Sequence, residues 1–237
     1  MPIQFPNEAD KIREIVRQRN IQWLVHFTHI NNINSIVEHG ILPRLETEQL
    51  NNNIGGNFVF PDPSRADRKN ASCLSIMFPN SKMLWHKRQQ YPDKDWVFLM
   101  LEPDILWECD CAFYPTNAAS TGVRYQPVKN FKTAVAFEAM FADEVIRETT
   151  CVIETISRPQ LQSYLPTDVQ AEILVFDTIS PEYIIEIFFH SSHGDMDSLT
   201  RENANFKNIE VYPNAEWVKN KEGHMLLYGF RENVDWK

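Results

Sequence analysis

The sequence predicts an α+β fold, on three observations. Short apolar runs of strand length, among them Trp96 to Leu101 and Tyr183 to His190, alternate irregularly with stretches of helical spacing, so the strands must find partners that are distant in sequence. The 237 residues are 43% apolar and carry no Gly/Ser/Pro-rich linker, which describes one domain over residues 1–237 with a core to bury. No internal repeat or low-complexity tract interrupts it.

Taken in order, Asn7 can cap an N-terminal helix from Glu8 to about Arg19, with Ile12, Ile15 and Val16 on one face and Arg13, Arg17 and Arg19 partly on the outer one. A short strand from Trp23 ends on His26-Phe27-Thr28, and a helix from about Ile30 to His39 stops at Gly40. From Arg44 to Ser72 no period is evident. A loop that long in a compact domain is either disordered or functional, and after Gly55-Gly56 it carries Phe58, Phe60, Arg65 and Arg68, with Pro61 and Pro63 stiffening it. A strand at Leu74 to Phe78, a helix from Ser81 to Gln90 capped by Asn80, and the strand Trp96 to Leu101 follow. A turn at Glu102-Pro103-Asp104 leads to the apolar run Ile105 to Trp107 and the segment Cys111 to Ser120. Phe131 to Phe141 has helical spacing that continues to about Arg147. Pro166 to Phe176 reads as a strand, Ser180-Pro181 as a turn and Tyr183 to His190 as a strongly apolar strand. Asp197 to Phe206 reads as a short helix, and Asn208 to Tyr212 and His224 to Gly229 as the last strands.

Composition narrows the function. No run is long enough to span a bilayer, and Met1 to Asp10 lacks the basic-then-apolar order of a secretion signal, so the expected location is cytoplasmic, with no membrane partner. The four cysteines, Cys73, Cys109, Cys111 and Cys151, are too few and too oddly spaced for a disulfide framework or a zinc site, and no metal is expected. A formal charge of −9 disfavours non-specific nucleic-acid binding, so any such site must be a local patch.

Within Pro166 to Phe176, P-T-D-V-Q-A-E-I-L-V-F, one carboxylate stands among residues that favour burial. Val169, Ala171, Ile173 and Val175 share one parity of a strand, while Gln170, Glu172 and Leu174 share the other. Glu172 is therefore expected to reach solvent or line a cleft, opposite the packed face. The order of motifs adds to this. H-F-T-H-I-N-N-I-N-S-I-V-E-H-G-I-L from His26 to Leu42, then arginine in a variable loop, then Q-A-E-I-L-V from Gln170 to Val175, resembles the DarT family of bacterial nucleic-acid ADP-ribosyltransferase toxins, from about Asn20 to His190. The resemblance implies an ADP-ribosyltransferase-like split sheet, mixed or antiparallel, with flanking helices. It also implies NAD as the ADP-ribose donor, single-stranded DNA as the acceptor, and a cognate antitoxin, macrodomain-containing in the best known systems.

By that resemblance Glu172 is the catalytic carboxylate. Breaking the bond between nicotinamide and ribose develops positive charge on the sugar, and one fixed carboxylate can both stabilise that charge and take the acceptor's proton. The resemblance sets His26 and Thr28, with Phe27 between them and Ser35 on the following helix, against NAD. A His and a Thr on one face of a strand end can bond ribose hydroxyls or the nicotinamide amide, although the residues alone fit a satisfied core histidine equally well. The family's loop arginine, assigned to cofactor binding and to handling the acceptor's proton, has two candidates here, Arg65 and Arg68. Pro63-Ser64 favours Arg65, whose guanidinium would fork onto pyrophosphate or a base edge.

The segment Tyr114 to Ser120 falls where these transferases carry an acceptor-facing loop, and Thr116 and Asn117 offer groups that read a base edge. It departs from the pattern of the thymidine-modifying branch, so a guanine-directed sister branch fits at least as well. The Ser81 helix, with Lys82, Trp85, His86, Lys87 and Arg88, offers phosphate contacts and a stacking face for a single strand. RNA in place of DNA, and a non-catalytic binding module with the same fold, both stay open.

Overall fold

The structure, a computed structural model, describes residues 7–54, 68–91, 96–158 and 161–189, and the backbone of four short strands beyond them. Helix α1, Glu8–Arg19, begins where Asn7 Oδ1 accepts the Asp10 N–H at 2.9 Å, and it buries Ile12 and Val16. Strand β1, Leu24–His29, runs through a single 3₁₀ turn into α2, Ile33–His39. Gly40 ends α2 at φ 85°, and Ile41 and Ile179 exchange both backbone hydrogen bonds, at 2.9 and 3.0 Å, directly beside it. A Cβ at residue 40 would overlap the Ile179 carbonyl oxygen, so both the dihedral and the close approach require glycine.

The stretch expected to be an irregular loop from Arg44 to Ser72 starts instead with an eleven-residue helix, α3, Arg44–Ile54. Its asparagine run is a poor helix signal, which hid Pro43 before the first turn and the Arg44–Glu48 ion pair one turn apart. Strand β2 is Ser72–Ile76, α4 is Ser81–Gln90 with Asn80 as its cap, and β3 is Trp96–Leu101, buried throughout. The apolar run at Ile105 is a helical turn, α5, Ile105–Glu108, which leads to β4, Cys111–Tyr114. Another short helix, α6, Thr121–Arg124, precedes α7, Ala134–Ala139.

The helix expected to reach Arg147 stops at Ala139. Phe131 belongs to a separate 3₁₀ turn and Val135 is exposed, so the spacing that suggested a longer helix joins residues in different environments. Beyond it, E-V-I-R-E alternates with period two, Val145 and Arg147 inward and Ile146 outward, as β5, Glu144–Glu148. It pairs antiparallel with β6, Ile153–Ser157, a hairpin that the sequence reading missed. Strand β7 is shorter than expected, Glu172–Val175, because Asp168 Oδ1 accepts the Gln170 N–H and turns the chain just ahead of it. Strand β8 is Ile184–Phe189. β9, Glu210–Tyr212, and β11, Met225–Leu227, fall inside expected strands, while β10, Val218–Lys219, and β12, Phe230–Arg231, were not expected. The helix expected over Asp197 to Phe206 lies outside the described residues.

The main sheet has seven strands in the order β4-β7-β2-β1-β3-β8-β9. Its pairs are antiparallel except β8 with β9, so the fold is α+β with a mixed, mainly antiparallel sheet and flanking helices. β1 and β2 pair at Leu24↔Ile76 and Val25↔Ser75, and then part: β1 continues along β3 while β2 continues along β7. The sheet is thus split at its centre. Leu24, Leu74, Ile76, Leu99 and Ile173 lie in the main core, whereas Leu174 packs with Ala71, Ala112, Tyr114, Ala118 and Phe131 in a smaller second one. All four residues of β7 are buried, so the parity carrying Glu172 and Leu174 faces that second core, and of the two expectations for Glu172, solvent or a cleft, open solvent does not hold. Among the described residues no helix is long and apolar enough to cross a membrane.

Candidate active site

Glu172 opens β7 opposite Tyr114 of β4 and is only 7% exposed. Its carboxylate is met by two donors from the chain that follows β4: Asn117 Nδ2 reaches Oε1 at 2.9 Å and the Ala118 N–H reaches Oε2 at 2.9 Å. The Asn117 amide is itself oriented, because its Oδ1 accepts the Ala119 N–H at 2.9 Å. A carboxylate with a separate donor on each oxygen is fixed in direction, as a group that must meet developing positive charge has to be.

The support continues behind Asn117. Thr116, 1% exposed, donates its hydroxyl to Asp168 Oδ2 at 2.8 Å. Asp168, also 1% exposed, accepts Arg147 NH1 at 2.9 Å on its other oxygen, and Arg147 forks onward to Glu154 at 2.6 Å. Hydrogen bonding from Arg147, then its charge, holds the Glu154 carboxyl below its ordinary value, with a smaller contribution from Lys82. Ser120 donates to the Glu148 carbonyl, so the loop is tied to β5 at a second point.

These contacts revise two expectations. Tyr114 is buried and stacks on Phe131 with ring centroids 4.2 Å apart, and Thr116 is buried against Asp168, so neither is disposed to read a base edge. Asn117 is half-buried and holds Glu172. Arg147 and Asp168 went unnoticed in the sequence. The Asx turn at Asp168 is a local signal that could have been read, but nothing in the sequence pairs it with Arg147.

His26 lies at the split. Its Nδ1 is 2.9 Å from the Cys73 carbonyl oxygen, across the gap where β1 and β2 part, and the ring is half-buried. Leu74 pairs with Ile173, so Ser75, which pairs with Val25 on its other side, lies next along β2 toward the Glu172 end of β7. Glu172 and the start of the split are therefore two strand spacings apart, about 10 Å. Thr28 is buried and accepts the Asn32 side-chain amide at 2.9 Å, leaving the hydroxyl proton outside that bond. Phe27 is half-buried and meets Trp96 edge-on, with centroids 5.9 Å apart. Ser35 is half-buried in α2. His29, outside the expected set, is buried and accepts the Asn31 N–H on Nδ1.

Arg65 lies outside the described residues. Arg68 donates to the Gln126 carbonyl at 2.9 Å, which ties the end of its loop to the chain after α6. On α4, Trp85 is 59% exposed with His86 edge-on at 5.0 Å, suited to stacking, whereas Lys87 is buried with its Nζ 3.4 Å from Gln90 Oε1. Arg88 is half-buried, and that burial lowers its guanidinium from the ordinary value. Of the basic residues on this helix, Lys87 is thus the most buried, and Lys82 and Arg88 are half-buried. Among the described residues no cluster of three or more His, Cys, Asp or Glu is arranged to hold a metal.

Comparison with known proteins gives these positions a context. A family model described as "DarT: ssDNA thymidine ADP-ribosyltransferase" matches residues 25–218. No curated protein matches the chain. Among solved structures, DarTG of Thermosipho africanus in complex with ADP-ribose is 23% identical with a TM-score of 0.53 over 81% of this chain and 50% of that one. The chain thus spans half the length of that relative, and the likeness is one of fold. DarT of Thermus sp. 2.9 in complex with NAD+ is 14% identical (TM-score 0.44, 81% of this chain and 96% of that one). The same protein with ADP-ribosylated ssDNA is 16% identical (TM-score 0.45, 82% and 95%).

Proposed function

This chain belongs to the DarT family, described as ssDNA thymidine ADP-ribosyltransferases, and from that premise we propose that it transfers ADP-ribose from NAD to a base in single-stranded DNA, as the toxin of a toxin–antitoxin pair. The observation that carries the reading is the Glu172 carboxylate, fixed by Asn117 and Ala118 at the β7 end beside the sheet's split. NAD supplies an ADP-ribosyl group whose bond to nicotinamide breaks with positive charge growing on the ribose.

Each residue then has a task that its position allows. Glu172 stabilises that charge and accepts the proton of the attacking base, the work of a preorganised carboxylate. His26, half-buried at the split with Nδ1 on Cys73 O, meets the ribose or the nicotinamide amide, and Thr28 and Ser35 follow on the same segment. Arg65 and Arg68 are the loop arginines, with the Arg68 guanidinium held on the Gln126 carbonyl just after α6. Trp85 offers a face for a base of the acceptor strand, with Lys82 and Arg88 nearby on α4. NAD and single-stranded DNA meet in the bacterial cytoplasm, which is where the proposal puts the reaction, opposed there by a cognate antitoxin.

The test is transfer itself. Purified protein is incubated with NAD and a mixed-sequence oligonucleotide, as single-stranded DNA, duplex DNA or RNA, and the products are read by mass and by fragmentation to the modified base. Single-stranded DNA should gain one ADP-ribose with the parent chain and none with Glu172→Gln, and growth arrest of a bacterial host should follow the same pattern. Modification of RNA alone would move the reading to a different polymer. No transfer to any of the three would leave a binding module with this fold.

A further inference from the structure

We propose that Arg147 and Asp168 are a positioning pair for the Glu172 carboxylate, an inference that rests on Glu172 being the catalytic group. Asp168 joins three segments that are remote in sequence. One oxygen takes Arg147 of β5 and the Gln170 N–H, two residues ahead of Glu172, both at 2.9 Å. The other takes the Thr116 hydroxyl at 2.8 Å, one residue ahead of Asn117. Both sides of the Asn117 to Glu172 contact are therefore anchored on a single carboxylate, 1% exposed.

Stability alone is a weak reason for such a pair. Two charges withdrawn from water recover little net energy, and well-packed apolar replacements are often as stable. Direction is what the pair supplies. Arg147 is held between Asp168 and Glu154, one guanidinium nitrogen on each, so Asp168 cannot rotate without breaking its bonds to Arg147, Thr116 and Gln170. Asp168 in turn fixes where the Thr116-Asn117-Ala118 backbone runs, and with it both donors on Glu172. A carboxylate displaced by as little as 1 Å from a developing charge loses on the order of 10²-fold in rate.

Arg147→Met/Asp168→Leu removes the pair without stranding a buried charge, and Thr116→Val removes only one of its hydrogen bonds, so one variant covers the failure of the other to fold. With NAD and single-stranded DNA, the double variant should lose about 10–100-fold in kcat while its KM for NAD stays within about threefold. Thr116→Val should lose about three- to tenfold in the same sense. The Ala118 amide proton, shifted downfield by a carboxylate acceptor, should move in both toward its position in Glu172→Gln, read by ¹⁵N-correlated NMR. Folded variants with kcat within twofold of the parent, or a lost kcat with the Ala118 signal unmoved, would reject the positioning role. If Glu172→Gln transfers at the parent rate, the functional reading fails and this inference falls with it. If Glu172→Gln is inactive while the folded pair variant is active, only the inference fails.

Discussion

The two halves of the candidate site are built in opposite ways. Along β1 and the turn into α2, Thr28 bonds Asn32, four residues on, and His29 the Asn31 N–H, two residues on, while His26 reaches Cys73 on a strand distant in sequence. Around Glu172 the partners come from 54 and 55 residues away, and Thr116 meets Asp168 across 52. A locally bonded segment keeps its shape when its surroundings change, whereas the carboxylate is aimed only while several remote segments are in register. Binding of the donor should therefore be robust and separable. Chemistry should be fragile and cooperative.

The largest expected effect strikes the second half. Glu172→Ala should lower kcat for transfer by at least about 10²–10³-fold, since the carboxylate's interaction grows only as the glycosidic bond breaks, with NAD affinity close to the parent's. It should also cost stability, because the Ala118 N–H loses its acceptor in a buried place: about 1–3 kcal/mol, at about 2–4 °C of Tm for each. A variant that loses NAD binding along with kcat would erase the proposed separation.

His26→Ala probes the first half. Loss of one hydrogen bond to bound NAD should raise KM about tenfold with kcat little changed, the mark of an interaction made equally in ground and transition states. A fall in kcat without change in KM would instead draw His26 into the chemistry. Next in size, Gly40→Ala forces a side chain into the left-handed region against the Ile179 carbonyl and should destabilise by about 1–3 kcal/mol, leaving kcat of the folded fraction unchanged. Chemical denaturation paired with active-site titration separates the two readouts.

The smallest effect concerns pH. Glu154 has a folded value below its unfolded one through Arg147, so the stability it contributes is present above the ordinary carboxylate range and is lost as pH falls through the lowered value. Glu154 is half exposed, so the screened contribution is small, and Glu154→Gln should remove a Tm change of at most about 2 °C between neutral and mildly acid solution. A larger change would show the Arg147 fork to be stiffer than its surface arm suggests.

The same contrast explains what the sequence made legible. Helices α1 and α4 and strand β3 were readable to their ends, because caps and apolar runs are local signals. The β5–β6 hairpin was not, since Phe131, Val135 and Ala139 happen to keep a helical interval across a break in structure. Glu172 stood out as a charge in an apolar strand, yet its burial on both sides could not be foreseen, because the second core is assembled from Ala71, Ala112, Phe131 and Leu174, residues with no common period. From their place in the chain Thr116 and Asn117 are expected to read a base edge of the acceptor. Their tasks, as supports for carboxylates, depend on contacts that appear only when β4 lies beside β7.

Strand β7 lies between β4 and β2 in the sheet although it follows both in the chain. During synthesis the protein emerges from its N-terminus, and for most of that time β2 and β4 have no strand to join them. The donors Asn117 and Ala118 exit the ribosome well before the carboxylate they hold. Such long-range closure is slow compared with the local folding of β1 and α2. On the proposed reading, a partly made chain is therefore inert. On the same reading, prematurely terminated fragments that stop short of Glu172 transfer no ADP-ribose, and activity begins only once β7 has inserted between β4 and β2.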